Sequence, residues 1–240
     1  AMAAFGMLYT LYMILLLVEI WLVYREQIVL TARRSRGVKR LLFATLALGV
    51  YDISREALAT DKRTITILAA LGIPAACILH GYVGFIFGSV KANPWWGSVL
   101  MPIVFLMSAI VSGIAMVMFL YILLSLVRNE KLDMRCLDKI GLFLLVAIIV
   151  DFVLEALDYI HRLYQSEESI GILTQLVSSK LFLSLVVVQL LLGMLLPLLI
   201  LVLVRSVRFN EELRKVLYFT TSLLILLGIF SMRWNVVIGG

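Results

Sequence analysis

Long apolar runs recur along the chain, and short polar or basic stretches separate them. A helix needs about 20 apolar residues to cross a bilayer core of roughly 30 Å. Six runs reach that length, at residues 3–24, 64–88, 98–127, 139–163, 176–204 and 215–232. The pattern therefore predicts an all-α protein, a polytopic bundle of about six transmembrane helices, with residues 1–240 in a single transmembrane domain.

A seventh apolar stretch, at residues 41–51, is too short to cross a bilayer and continues into the polar residues 52–56. We predict an interfacial or re-entrant helix over 41–56, inside a basic cytoplasmic segment at residues 25–63. A seventh crossing is the alternative interpretation.

Composition excludes an ordinary water-soluble domain, because 63% of residues are hydrophobic, 15% are charged and the mean hydropathy is +1.08. Lys and Arg accumulate in cytoplasmic loops. If the first helix runs from outside to inside, 17 of the 21 basic residues are cytoplasmic. These are Arg25, Arg33, Arg34, Arg36, Lys39, Arg40, Arg55, Lys62, Arg63, Arg128, Lys131, Arg135, Lys139, Arg205, Arg208, Arg214 and Lys215. The net charge of +6 then reflects topology and contact with anionic lipid, and no motif indicates nucleic acid.

The two cysteines, Cys77 and Cys136, cannot build a disulfide framework or a cysteine-ligated cluster. We therefore expect no iron–sulfur cluster in this chain and predict no metal site. The chain begins inside an apolar run and stops just past a span, so we expect it to be part of a longer protein whose further helices complete the site.

Ionisable side chains inside apolar spans are costly to insert and therefore point to function. The fourth predicted span carries Asp151, Glu155 and Asp158. At about 100° per residue, these three and Arg162 fall within about 60° of one another, on one stripe. Three carboxyls this close in a low dielectric cannot all remain ionised, so at least one can carry a proton. The stripe predicts a proton relay or the wall of a quinone pocket; a helix end that emerges early into water is the alternative.

His80 lies in the second predicted span, about two turns below its outer end, on a helix with small residues such as Gly84. An imidazole can donate to a quinone carbonyl and shuttle its proton, and small residues let a flat ring approach the backbone. Helix packing is the alternative role for both. Glu19 in the first span begins an inward proton path, or its side chain snorkels to the interface or pairs with Arg25.

Weaker signals accompany these residues. Trp95 and Trp96 follow the second span and are predicted to anchor the chain at the outer interface, together with Asn93 and Pro94. Gln189 is a polar residue in the fifth predicted span with no assigned role.

Three stretches resemble the NrfD/PsrC family of quinone-reactive membrane subunits. They are residues 80–96 (HGYVGFIFGSVKANPWW), residues 101–113 (MPIVFLMSAIVSG) and the closing residues 233–240 (RWNVVIGG). The closing stretch is most similar to the HybB and DsrP branches of that family.

The resemblance implies an eight- to ten-helix subunit without its own haem, in a bacterial or archaeal cytoplasmic (inner) membrane. It implies a menaquinone or ubiquinone site near the outer face. Electrons would pass between this quinone and a ferredoxin-like iron–sulfur subunit on that face, alongside further redox subunits. His80 matches the family's quinone-site histidine, and Glu19 resembles its acidic residue on an earlier helix.

The sequence therefore predicts a quinone-interacting integral membrane subunit of a respiratory oxidoreductase complex. The predicted quinone contacts are His80, Gly84, Asp151 and Glu155, and the predicted proton-transfer residues are Glu19, Asp151, Glu155 and Asp158. Two alternatives stay open. A b-type cytochrome anchor would use His80 and His161 as haem ligands. A proton-coupled secondary transporter would use the acids to drive a substrate, with helix breaks at Pro74, Pro102 and Pro197.

Overall fold

A computed structural model describes residues 2–90, 95–165 and 170–239, which form helices and turns and no strands. In these ranges six helices are long and apolar enough to cross a membrane. They are Ala3–Arg34, Arg55–Gly88, Met101–Arg128, Met134–His161, Phe182–Ser206 and Glu211–Ile238. The predicted all-α fold, with six spans and one further helix, is confirmed. The chain divides into two compact units, Ala1–Leu79 and His80–Gly240.

The first unit contains α1 (Met2–Arg34), α2 (Val38–Leu46) and most of α3 (Arg55–Gly88). The buried guanidinium of Arg25 on α1 forms an ion pair with Asp61 on α3. Its Nη1 also donates to the backbone carbonyl of Asp52, at 2.7 Å. Arg25 therefore pairs with Asp61, and Glu19 lies half-buried six residues earlier on α1.

The helix predicted over 41–56 is shorter than expected, because α2 ends at Leu46 and residues 55–56 already belong to α3. Leu48 and Gly49 both adopt positive φ, at 51° and 79°, which a right-handed helix does not allow. The backbone N–H of Ser54 donates to Asp52 Oδ1, at 2.9 Å. This bond holds the pKa of Asp52 below its usual value and gives the backbone an alternative to the helix.

The second unit contains α4 (Met101–Arg128), α5 (Met134–Gln165), α6 (Ile170–Gln175), α7 (Leu196–Ser206) and α8 (Glu211–Trp234). Three π-helical segments complete it: π1 (Leu176–Lys180), π2 (Phe182–Leu195) and π3 (Asn235–Gly239). The helices α4, α5, α7 and α8 pack around one apolar core. The segment π2 directly precedes α7, and the two together form the fifth span. Central core residues are Val111, Ala115, Met118, Leu144, Ile148 and Ile225.

The fifth span differs from the α-helix that the apolar pattern predicts, because 14 of its residues are wound as π2. At its end the N–H of Leu196 donates to the carbonyl of Leu191, five residues back. Hydropathy detects the length of a span and carries no information on hydrogen-bond register, so this winding was not predictable from it. Gly193 on π2 meets Gly228 on α8 backbone to backbone, and a Cβ on either glycine would overlap the other.

Candidate functional site

The carboxyl stripe of α5 faces the interior of the second unit. The exposed fractions of Asp151, Glu155 and Asp158 are only 1%, 7% and 4%. Buried polar groups are costly unless they find polar partners, so the surroundings of each carboxyl decide what it can do. The side chain of Arg162, the fourth member of the predicted stripe, lies outside the described residues.

Glu155 belongs to a chain of hydrogen bonds that joins three helices. The side-chain amide of Gln189 on π2 donates to Glu155 Oε2, at 3.0 Å. The amide of Asn235 on π3 donates in turn to Gln189 Oε1, at 3.1 Å. The backbone carbonyl of Asn235 accepts from the indole Nε1 of Trp95, at 3.2 Å. Both ends of the Gln189 amide are thereby oriented by neighbours.

Asp158 and Asp151 have different partners. The hydroxyl of Ser98 donates to Asp158 Oδ1. Asp151 Oδ1 has no hydrogen-bond partner among the described residues. Arg233 on α8 interacts electrostatically with Asp151 and donates to the hydroxyl of Ser108, at 3.3 Å. The three carboxyls therefore share one face and are held in three distinct polar settings.

A cavity of about 660 Å³ opens between α5 and the fifth span. Much of its wall is apolar, including Phe152, Phe182, Val186, Leu190 and Met194. Glu155 and Gln189 contribute polar groups to this wall, beside the aromatic rings of Trp95 and Tyr159. This volume lies in the range of roughly 300–1,000 Å³ that is typical of small-molecule sites.

Two much smaller cavities adjoin the large one. The first, of about 20 Å³, is lined by Glu155, Asp158 and Asn235, and the second, of about 10 Å³, is lined by Asp151 and Glu155. Each is close to the size that admits one water molecule. Glu155 and Gln189 line all three cavities, so they stand where these spaces meet.

The structure does not bring every predicted site residue to this place. His80 is half-buried on α3, and neither His80 nor Gly84 is among the described residues that line the three cavities. A Cβ on Gly84 would meet the backbone of Met101 and Pro102, so close packing against the start of α4 occupies the space beside this glycine. Glu19 belongs to the first unit.

Several residues of the site were missed or assigned another role from sequence. Trp95 is 5% exposed and donates to Asn235, while Trp96 Nε1 donates to the carbonyl of Val236, at 2.6 Å. Trp95 is therefore a buried contact and not only an interfacial anchor. Asn93 and Pro94, predicted to anchor with it, lie outside the described residues. Two of the stretches that carry the family resemblance are thus bonded to each other.

Within the described parts of the chain, no group of three or more His, Cys, Asp or Glu side chains is arranged to hold a metal ion.

Comparison with known proteins places these observations in a family. The sequence profile described as "Polysulphide reductase, NrfD" matches residues 1–240. The chain is also 35% identical over 162 residues to a subunit of the selenate reductase of Mesobacillus selenatarsenatis. That alignment covers 65% of this chain and 37% of the relative, so the chain matches well under half of the relative's length.

Proposed function

This chain belongs to the polysulphide reductase NrfD family, and on that premise we propose that it is the quinone-interacting membrane subunit of a respiratory oxidoreductase complex. It is a multi-pass membrane protein with six apolar helices in its described parts. The relative from Mesobacillus selenatarsenatis is one subunit of a selenate reductase, which supports redox partner subunits for this chain as well. The proposed electron partner is a ferredoxin-like iron–sulfur subunit on the outer face.

The observation that carries the proposal is the position of Glu155. This buried carboxyl lies where a large membrane cavity meets two water-sized cavities that lead to Asp151 and Asp158. A carboxyl in such a place can exchange protons with a substrate and with neighbouring acids.

Quinol oxidation is a reaction in which this arrangement of acids can accept the released protons. A quinol becomes a quinone by losing two electrons and two protons. The electrons pass to the iron–sulfur partner, and the protons pass to Glu155 and onward along the stripe. Proton acceptance by His80 is a separate proposal, because His80 is not among the described residues that line the three cavities. Quinone reduction is the same sequence in reverse. The quinone and the clusters supply the redox chemistry, while this chain supplies position and proton routes.

The test is oxidation of a water-soluble quinol analogue by the purified membrane complex, with reduction of the partner's clusters followed in parallel. We expect Glu155→Gln to lower turnover at least about tenfold, because an amide cannot accept the proton. Glu212→Gln is the matched control, since its carboxylate is exposed at the start of α8 and pairs only with Lys215 in the described contacts. Co-purification of the partner subunits checks assembly.

Two outcomes contradict the proposal. The first is a wild-type complex that neither oxidises a quinol nor reduces a quinone. The second is unchanged turnover in an assembled Glu155→Gln complex. His80→Ala in the same assay tests the histidine separately: a large loss in an intact complex supports its role, and unchanged turnover makes it a packing residue.

A further inference from the structure

We propose that the segment between the first two spans is a binding site for anionic phospholipid, in the leaflet on the side where the basic loops are predicted to lie. The site combines a basic cluster, formed by Arg34, Arg36, Lys39 and Arg40, with an apolar face on α2 and on the turn that follows it. This interaction is separate from electron transfer, and it gives a role to a segment that the proposed function does not use.

The basic cluster has no acidic residue in its own stretch of chain. Its four side chains are exposed, and they lie at the end of α1, in the connecting turn and in the first turn of α2. The sequence contains no Asp or Glu from residue 27 to residue 51. Phosphate oxygens accept charge-assisted hydrogen bonds from Lys and Arg. An anionic headgroup therefore supplies the negative charge that this stretch lacks.

The helix α2 leads from the basic cluster back towards the apolar part of α1. At about 1.5 Å per residue, α1 continues for about 14 Å from the buried Arg25 to Arg34. The chain then reverses direction, and the indole Nε1 of Trp21 donates to the backbone carbonyl of Leu46, at 2.8 Å. Leu46 is the last residue of α2, and Trp21 lies one turn before Arg25. The helix thus begins beside the basic cluster and ends beside the apolar residues 3–24.

One side of α2 is apolar and exposed. At about 100° per residue, Val38, Leu41, Leu42 and Leu46 fall within about 140° of one another, and all four side chains are exposed. The apolar surface continues beyond α2 at Leu48, which is 72% exposed. A short helix that combines Lys and Arg with an exposed leucine face is typical of segments that insert shallowly at the boundary between headgroups and acyl chains.

The conformation of the turn after α2 favours the same interpretation. Leu48 has a φ of 51°, a left-handed conformation that is costly for a residue with a side chain. Because Leu48 is exposed, packing within the described chain offsets little of this cost. The turn is held by two hydrogen bonds, from the Tyr51 hydroxyl to the Ala44 carbonyl, at 3.3 Å, and from Arg33 Nη2 to the Tyr51 carbonyl, at 2.7 Å. An apolar tip fixed in this way loses little freedom when it contacts acyl chains.

A soluble acidic protein fits this surface less well than lipid does. Such a partner would complement the basic cluster. To cover Leu46 and Leu48, however, it would have to reach the level of Trp21, where α1 enters its apolar span. Lipid headgroups and the upper parts of acyl chains occupy that level already.

The experiment is fluorescence quenching in the assembled complex. The full-length protein carries a bimane label on Leu48→Cys, in a background of Cys77→Ser and Cys136→Ser. The complex is reconstituted in phosphatidylcholine vesicles that contain a small fraction of brominated phosphatidylglycerol or, in parallel, of brominated phosphatidylcholine. We expect stronger quenching by the phosphatidylglycerol at equal fractions, because basic residues near the surface attract anionic lipid.

A charge-removing variant tests the basic cluster separately from the apolar tip. Lys39→Gln/Arg40→Gln should lower the preference for phosphatidylglycerol at least about fivefold. Lys131→Gln/Arg135→Gln is the matched control, because it removes the same charge from exposed positions near another loop that is predicted to be cytoplasmic. The control should keep the wild-type preference.

Four results overturn the proposal. They are no quenching by either brominated lipid, equal quenching by both, an equal loss of preference in the control variant, and quenching that appears only after the partner subunits are removed. The last result means that a protein covers this surface. Quinol oxidation by the complex is measured independently of all four, so the proposed function is judged separately.

Discussion

At the scale of single residues, Arg25 shows how a buried charge organises the first unit. Its guanidinium is bound on one side by the Asp61 carboxylate and on another by the carbonyl of Asp52. Arg33 Nη2 donates a hydrogen bond to the backbone carbonyl of Tyr51, at 2.7 Å. Two arginines of α1 therefore tie down the loop between α2 and α3 through backbone carbonyls that would otherwise need water.

Arg25→Ala should destabilise this loop. The substitution leaves the Asp61 carboxylate without its cation, and breaking a buried ion pair costs about 3 kcal/mol. We expect a lower thermal midpoint of the detergent-solubilised protein and faster limited proteolysis within residues 47–54. Arg36→Ala, at an exposed position after α1, should change neither measurement. Equal proteolysis rates for the two variants would show that Arg25 does not hold the loop.

At the scale of elements, the contact between π2 and α8 depends on two glycines. Gly193 and Gly228 let the two backbones touch, which is how small residues bring membrane helices together. The contact keeps Gln189 of π2 within reach of Asn235, and through it of Glu155.

Gly193→Ala should therefore separate π2 from α8 and lower the free energy of unfolding by about 2 kcal/mol, the usual cost of overpacking. The loss of stability is measured as a lower unfolding temperature when intrinsic tryptophan fluorescence is followed during heating. Gly113→Ala on α4 is the matched control, because a Cβ there meets nothing within 4 Å. The glycine contact is unimportant if both variants melt at the wild-type temperature.

Much of this architecture could be predicted from the sequence. The features that could not be predicted depend on tertiary packing. Apolar length predicts all six spans because the bilayer sets one thickness for each of them. Glu155 and Asp158 stood out because charged groups are costly to insert. The roles of Trp95 and Asn235 did not stand out, since their bond joins positions 140 residues apart and depends on packing that periodicity does not encode. Quinone contact by His80 stays a prediction.

At the scale of the whole molecule, the distribution of basic residues predicts one orientation in the membrane. Arg128, Lys131, Arg135 and Lys139 lie in and around the loop before α5, which is therefore predicted to be cytoplasmic, and the exposed Cys136 lies in the first turn of α5 after this loop. Cys77 lies within the apolar α3 span. A water-soluble thiol reagent should therefore reach Cys136 and not Cys77.

A membrane-impermeant maleimide should label Cys136 in inside-out vesicles and leave it unmodified in sealed right-side-out vesicles. Cys136→Ser should abolish the signal, while Cys77→Ser should preserve it. Labelling of Cys136 from the outer side would reverse the predicted orientation.

The π winding of the fifth span also bears on how this protein tolerates changes in length. A hydrogen bond from residue i to i+5 that spans a deleted residue becomes an i to i+4 bond, which is the bond of an ordinary α-helix. Loss of one codon within residues 182–195 can thus be absorbed by a change from π to α bonding near the deletion, whereas the same loss in α4 rotates the residues on one side of it by about 100° relative to the other side. A segment beside the cavity can in this way shorten by one residue and present a different set of side chains to it, so a single deletion can reshape the cavity where a substitution alters only one side chain.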